Sequence, residues 1–204
     1  FPTRRSSDLF DFSTSQGNGT FQSIYSGPSQ RNPEYYAGYM LLASNDASWP
    51  ATYCDGKIYV PSSDSFTMFT VDDWITRLNG GAWDRQTVRV PNVGLYDYKT
   101  LTAYNHTIYW VDNMSVCSAP VSDLTNVTTH NIGNLCQAIS YSAIRNSFFI
   151  SISRTEVREY STSFELKKTF TGNYDDSYIS AMPEENSVLI GSRVYDIDDN
   201  TNEI

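Results

Sequence analysis

Apolar residues in this chain come in short unbroken triplets, each set just behind a polar turn. Ile58-Tyr59-Val60 follows Asp55-Gly56-Lys57, and Ile108-Tyr109-Trp110 follows Asn105-His106-Thr107. Phe148-Phe149-Ile150 follows Asn146-Ser147, and Val188-Leu189-Ile190 follows Asn186-Ser187. Asn, Asp and Gly accept the left-handed backbone of a tight hairpin turn at least cost. A triplet without a polar interruption fits a strand covered on both faces, whereas a strand with one wet face alternates. The triplets begin at 58, 108, 148 and 188, so the intervals are 50, 40 and 40.

Around each triplet the pattern predicts a meander of short strands. The first repeat places strands at 51–54, 57–61, 66–71 and 86–90, the second at 101–104, 107–111, 116–121 and 127–132. The third places them at 139–143, 147–152, 156–161 and 167–171, and the fourth opens at Tyr178. Ile179-Ser180 lies forty residues beyond Ile139-Ser140, which extends the register to the first strand of each unit. The first repeat is longer because 72–84 is inserted before its last strand; Asp73 to Leu78 predicts a helical turn there, on a surface loop. No helical stripe of useful length competes. A period near forty residues built from four short strands is that of a β-propeller blade. The expectation is an all-β fold, an incomplete β-propeller of four-stranded antiparallel blades at about 48–92, 98–134, 137–173 and 177–204, the last truncated.

Residues 10–47 are rich in Ser, Gly, Gln and Pro and read as a partial preceding blade and a linker, with 20–25 and 35–43 as strands. Residues 1–9, Phe-Pro-Thr-Arg-Arg-Ser-Ser-Asp-Leu, resemble a translated sequencing-library adapter and are expected to belong to no blade. A propeller buries its first blade against its last. Four repeats bounded in this way are expected to leave Ile58-Tyr59-Val60 and Val188-Leu189-Ile190 contributing to uncovered apolar faces.

Composition bears on partners and compartment. A formal net charge of −9 argues against a nucleic-acid partner, since phosphate neutralisation needs a basic surface. No run of 18 apolar residues exists to span a bilayer as a helix. Four Asn-x-Ser/Thr sequons begin at Asn18, Asn105, Asn113 and Asn126, three of them within one blade and each at a turn. They point to a secreted or cell-surface glycoprotein. Of three cysteines, Cys117 and Cys136 are spaced to pair between neighbouring blades, which leaves Cys54 unassigned. With His106 and His130 the only histidines and no Cys-x-x-Cys, a zinc site is not expected, and no cofactor is implied.

Ile108-Tyr109-Trp110-Val111-Asp112, followed by Ala119-Pro120-Val121-Ser122-Asp123-Leu124, resembles one repeat of the YWTD class of low-density-lipoprotein-receptor propellers, with Val111 where that class has Thr. Val194-Tyr195-Asp196-Ile197-Asp198-Asp199-Asn200 is similar to the third strand and turn of WD- and NHL-like repeats. Trp49 to Val60 and Cys136 to Ile150 resemble the turn-and-aromatic-strand pattern of olfactomedin domains, secreted five-bladed propellers. All three resemblances imply binding or adhesion modules.

Catalytic and metal chemistry finds little support. Asp196-x-Asp198-x-Asn200 has the opening spacing of a calcium loop, but Thr201 stands where the glycine belongs, so a solvated turn is expected. Asp175-Asp176 and Glu184-Glu185 are paired acids of the kind a glycosidase uses across a cleft, and surface turns account for them. His106 and His130 lie beside no nucleophile elbow. Trp74, Trp83, Tyr96 and Tyr98 gather near the insertion, where exposed rings can anchor a protein or stack on a sugar, or fill space between blades. The function expected is non-catalytic extracellular recognition of a protein or glycan. The opposing class is a fragment of a propeller enzyme such as a glycosidase or lyase.

Overall fold

The structure, a computed structural model, describes residues 40–43, 48–61, 64–78, 82, 84–90, 101–174, 179–181, 186–190 and 193–198. Four antiparallel sheets follow one another along the chain, each a simple meander. The first contains β1 (Met40–Ala43), β2 (Ser48–Cys54), β3 (Lys57–Pro61), β4 (Ser65–Thr70) and β5 (Gln86–Arg89), with α1 (Val71–Leu78) between the last two. The second contains β6 (Leu101–Tyr104), β7 (Thr107–Asp112), β8 (Ser115–Pro120) and β9 (Thr128–Asn131). The third contains β10 (Ala138–Ser142), β11 (Ser147–Ser153), β12 (Glu156–Ser161) and β13 (Leu166–Thr171). The fourth contains β14 (Ile179–Ala181), β15 (Ser187–Ile190) and β16 (Arg193–Asp196). These are β-propeller blades. The inner strands β2, β6, β10 and β14 pack against one another in that order.

Strand alternation decides which blade each side chain meets. On β7, Ile108 and Trp110 face back toward the first blade and join Tyr59, Phe66 and Met68, while Tyr109 and Val111 face forward toward Phe148, Ile150 and Tyr160. On β11, Phe149 faces forward and packs with Val188 and Ile190 of the fourth blade. Every second strand is therefore covered on both sides, which is why its triplet carries no polar position. The large side chains at the seams, Trp110, Phe66, Phe148 and Phe149 among them, are essentially solvent-free.

The inner strands are also stitched by hydroxyls. Thr102 and Ser140 occupy equivalent positions, opposite Tyr109 and Phe149, and both are 1% exposed. Thr102 Oγ1 accepts a hydrogen bond from the Tyr141 amide at 3.0 Å, and Ser140 Oγ accepts one from the Ala181 amide at 2.9 Å. One edge of an inner strand pairs within its own blade. The other carries amides that need an acceptor, and the preceding blade supplies it. Replacing Ser140 with Ala leaves a buried amide without its acceptor and should cost about 1–3 kcal/mol, read as a drop in the denaturant midpoint; an unchanged midpoint would count against the stitching.

Several expectations need correction. The strand expected within 35–43 is present as Met40–Ala43, but it pairs with β2 inside the first sheet rather than belonging to a preceding blade and linker. The sequence pattern could not reveal this, because the partner strand reads the same from either side. The helical turn expected at 73–78 begins earlier, at Val71, because Thr70 is the cap. Thr70 Oγ1 accepts from the Asp73 amide at 3.1 Å, and Asp73 Oδ2 accepts from the Thr70 amide at 3.0 Å, a reciprocal capping box. Residues expected on uncovered faces are buried. Ile58 is 1% and Leu189 3% exposed. Part of the cover on the first blade is local, since Val71 and Trp74 of α1 pack with Ala51, Ile58 and Phe69.

Candidate functional site

A blade array offers two rims. One carries the turns that follow the inner strands β2, β6 and β10 and the loops that precede the outermost strands β5, β9 and β13. The other carries the remaining connections. On the first rim, Asp55, Asn105 and His106 take positive φ, between 46° and 57°, as two-residue hairpin turns require, and Asn146, at φ 47°, ends the longer turn between β10 and β11. Asp55 and Asn105 thus close equivalent hairpins, and His106 Nδ1 lies 2.7 Å from Asp55 Oδ2, joining the turns of the first and second blades.

Between the second and third blades this rim is aromatic. Tyr104 and Tyr141 meet with ring centroids 4.4 Å apart, and the Tyr141 hydroxyl donates to Asn146 Oδ1 at 2.8 Å. Phe164, held at φ 63° in the loop after β12, stacks on Phe148 at 5.1 Å and on His130 at 4.2 Å. The loop is rigid: Ser161 accepts amide hydrogen bonds from Phe164 and Glu165 through its carbonyl and hydroxyl, respectively. Tyr104, Tyr141, Phe164 and His130 remain partly exposed, and Ile144 and Leu166 beside them are about half exposed.

His130 reports on this seam. Its Nε2 lies 3.2 Å from Ser118 Oγ, and burial holds the imidazole below its ordinary value of 6.5. Protonation therefore favours the unfolded chain. The stabilisation is complete above pH 6.5 and is lost as the pH falls through the folded value. The thermal midpoint should decline as the pH falls below 6.5, and His130→Phe should flatten that decline; an equally steep fall in the variant would place the titration elsewhere.

Between the third and fourth blades the rim holds a charge network. Glu159, 1% exposed, accepts from Arg145 Nε at 3.1 Å and Nη2 at 3.2 Å, from Ser147 Oγ at 2.7 Å and from Lys167 Nζ at 2.9 Å. Arg145 Nη1 reaches across to Asn186 Oδ1 at 3.2 Å and Asp198 Oδ1 at 2.9 Å. Burial acts to raise the Glu159 carboxyl, but the donors from Arg145, Ser147 and Lys167 outweigh it and leave the group below its ordinary value. Sequence reasoning overlooked this cluster. A signal was present: in Glu156-Val157-Arg158-Glu159-Tyr160, Glu159 shares the parity of buried Val157, where an apolar residue belongs.

The predicted site residues fare differently. Trp74 is partly buried and stacks on Phe69 at 5.6 Å. Trp83, Tyr96, Tyr98, Asn18, Asn200, Asp175, Asp176, Glu184 and Glu185 lie outside the described residues. Asp198 is paired with Arg145, and Asp196 Oδ1 accepts the Asp198 amide at 2.8 Å, an arrangement of a capped turn. Asn105, Asn113 and Asn126 are all exposed. Cys117 and Cys136 form no bridge: all three cysteines are buried free thiols. Cys117 faces the first blade and Cys136 the third, on opposite sides of the second sheet. Burial pushes the Cys136 thiol up to about 12 and, with Asp55 nearby, the Cys54 thiol to about 11, so neither supplies thiolate at neutral pH. Among the described residues no three His, Cys, Asp or Glu side chains gather to hold a metal, and no helix is long and apolar enough to cross a membrane.

No family model matches the sequence, and no curated protein matches it by sequence. Solved structures do match the fold. The Pan2 WD40 domain of Neurospora crassa superposes with a TM-score of 0.52 at 10% identity, covering 76% of this chain and 50% of that one. A nidogen/laminin complex gives 0.52 at 12% identity, covering 73% and 58%. A DUF4623 family protein of Bacteroides eggerthii gives 0.50 at 15% identity, covering 76% and 44%. The chain thus spans about half the length of the structures it matches, and what it shares with them is the β-propeller fold.

Proposed function

We propose that this chain is part of a propeller that binds a protein partner through a blade rim and carries out no chemistry there. The observation that carries the reading is the contrast between the two seams of the first rim. The charged groups between the third and fourth blades neutralise one another around Glu159, which leaves no free acid–base pair at that cluster. The seam between the second and third blades instead offers half-buried rings, with the exposed side chains of Ile144 in the turn after β10 and Leu166 at the start of β13. Rigid aromatic and aliphatic anchors are what a protein interface needs.

We further propose an extracellular setting, supported by the exposed sequon asparagines at 105, 113 and 126. Buried thiols of raised pKa are compatible with it, because they resist oxidation. A glycan ligand fits the same rings through stacking. Laminin is the first protein probe, because the nidogen/laminin complex is among the structures similar in fold. Immobilised protein should bind a protein or glycan probe saturably, with Tyr141→Ala and Leu166→Ser weakening the complex. Turnover of a polysaccharide substrate would overturn the non-catalytic reading.

A further inference from the structure

The second blade carries a sequon on the rim opposite the aromatic seam. Asn113-Met114-Ser115 turns β7 into β8, with Asn113 at φ 51° and exposed. The Asn113 carbonyl accepts the Cys136 amide at 2.7 Å, and the Met114 carbonyl accepts the Ile132 amide at 2.9 Å, which fastens the turn to the loop at 132–136. That loop is itself braced: Gly133, at φ 77°, donates its amide to Asn131 Oδ1 at 2.9 Å. The two segments are joined where Met114 follows Asn113 and Leu135 precedes Cys136. Met114 is 50% and Leu135 57% exposed, two of the most exposed large apolar side chains among the described residues. A fixed backbone thus presents two apolar side chains to water directly beside a sequon.

We infer that Asn113 carries an N-linked glycan whose first sugars lie over Met114 and Leu135; the inference rests on the extracellular reading. The Asn113 amide nitrogen bears two hydrogens. One donates to Asp112 Oδ1 at 2.9 Å, which orients the amide plane and leaves the other position for the sugar. In the transfer, the bond from Nδ2 to the anomeric carbon forms and the bond from that carbon to a lipid-linked pyrophosphate breaks. The pyrophosphate leaves with the electron pair, and the amide gives up one proton. The acetyl methyl and the C–H face of the first sugar then meet the thioether and the isobutyl group, removing apolar surface from water. Asn105 and Asn126 are set differently. Asn105 adjoins the His106–Asp55 pair, and Asn126 follows Thr125, whose hydroxyl donates to Asp123, so neither has two exposed large apolar neighbours.

The full chain, led into a eukaryotic secretory host by an added signal peptide, tests this whatever its native compartment. Peptide mapping with and without N-glycosidase should find Asn113 occupied. Asn113→Gln should lengthen retention on a hydrophobic-interaction column and raise the fluorescence of an apolar dye, while Asn126→Gln leaves both unchanged. Adding Met114→Ser and Leu135→Ser to Asn113→Gln should abolish the gain. An unoccupied Asn113 in the secreted, folded protein overturns the inference, as does an occupied Asn113 whose loss changes neither readout. Failure of the extracellular reading would show separately, as the native full-length protein residing in the cytosol.

Discussion

Replacing Glu159 with Ala should lower stability by about 3 kcal/mol, at the lower end of what breaking a buried ion pair costs. Glu159 is 1% exposed and is the common partner of Arg145, Lys167 and Ser147. Its removal leaves Arg145, 23% exposed, with only Asp198 and Asn186 across the seam. The loss stays moderate because Lys167 is 42% exposed and can turn into water. With total stabilities of about 5–15 kcal/mol, the denaturant midpoint should move visibly, and the third and fourth blades should loosen together. Hydrogen exchange reports that directly: amides of β14 and β15 should lose protection more than those of β6 and β7. The pH dependence carries the sign. The folded Glu159 carboxyl sits below its ordinary value of 4.5, so its stabilisation is complete above that pH and is lost as the pH falls through the folded value. Glu159→Gln should remove that acid limb while keeping the shape. A wild-type acid limb retained in Glu159→Gln would assign it to other carboxylates.

Trp110→Ala should cost about 3–5 kcal/mol, the largest single loss expected among the described residues. Trp110 is 0% exposed and meets Phe66 of the first blade edge-on at 5.4 Å. Its neighbours belong to two sheets, so the cavity left behind cannot close without shifting one blade against the other. Trp110→Phe should cost clearly less. It keeps a ring in the seam and removes the indole N–H, which has no hydrogen-bond acceptor in the structure. The comparison separates packing from polarity. If Phe and Ala are equally harmful, the indole donor has a partner and the seam is held differently.

Between the blades a smaller feature makes the same point about close packing. A methyl group added at Gly172 would lie 2.9 Å from the Tyr174 ring. Tyr174 is buried and meets Tyr195 edge-on at 5.4 Å, so it has little room to yield. Gly172→Ala is expected to destabilise by about 1–3 kcal/mol, as overpacking does. Thermal unfolding of the variant checks it, and an unchanged midpoint would mean the Tyr174 ring gives way freely.

The strand positions were legible because they are written in local chemistry. Asp55-Gly56 and Asn105-His106 are turns whose backbone needs φ above zero, and such residues announce themselves. The triplets behind them are unbroken because β3, β7, β11 and β15 are buried between neighbours. Ser140 and Ser180 were noticed only as a register mark. Their position on the inner strand, and the amide that Ser140 serves in the next blade, depend on how two sheets are placed. The Cys117–Cys136 pairing failed for a related reason. Their distance in sequence is short, but one faces each side of the same sheet. Strand parity, counted from Trp110 opposite Cys117, was the signal available.

By itself the sequence determined the kind of unit, its period of about forty residues and the residues that would be covered on both faces. These follow from turn propensity and from the two-residue alternation of strands, both properties of a few consecutive residues. Only the tertiary structure decided that β1 completes the first sheet, that Phe164 reaches into the second blade, and that Arg145 joins Glu159 to Asp198. Each of these links residues that local pattern leaves independent. A side chain's charge or shape is readable along the chain, but its partner is chosen by the angle at which one twisted sheet stacks on the next.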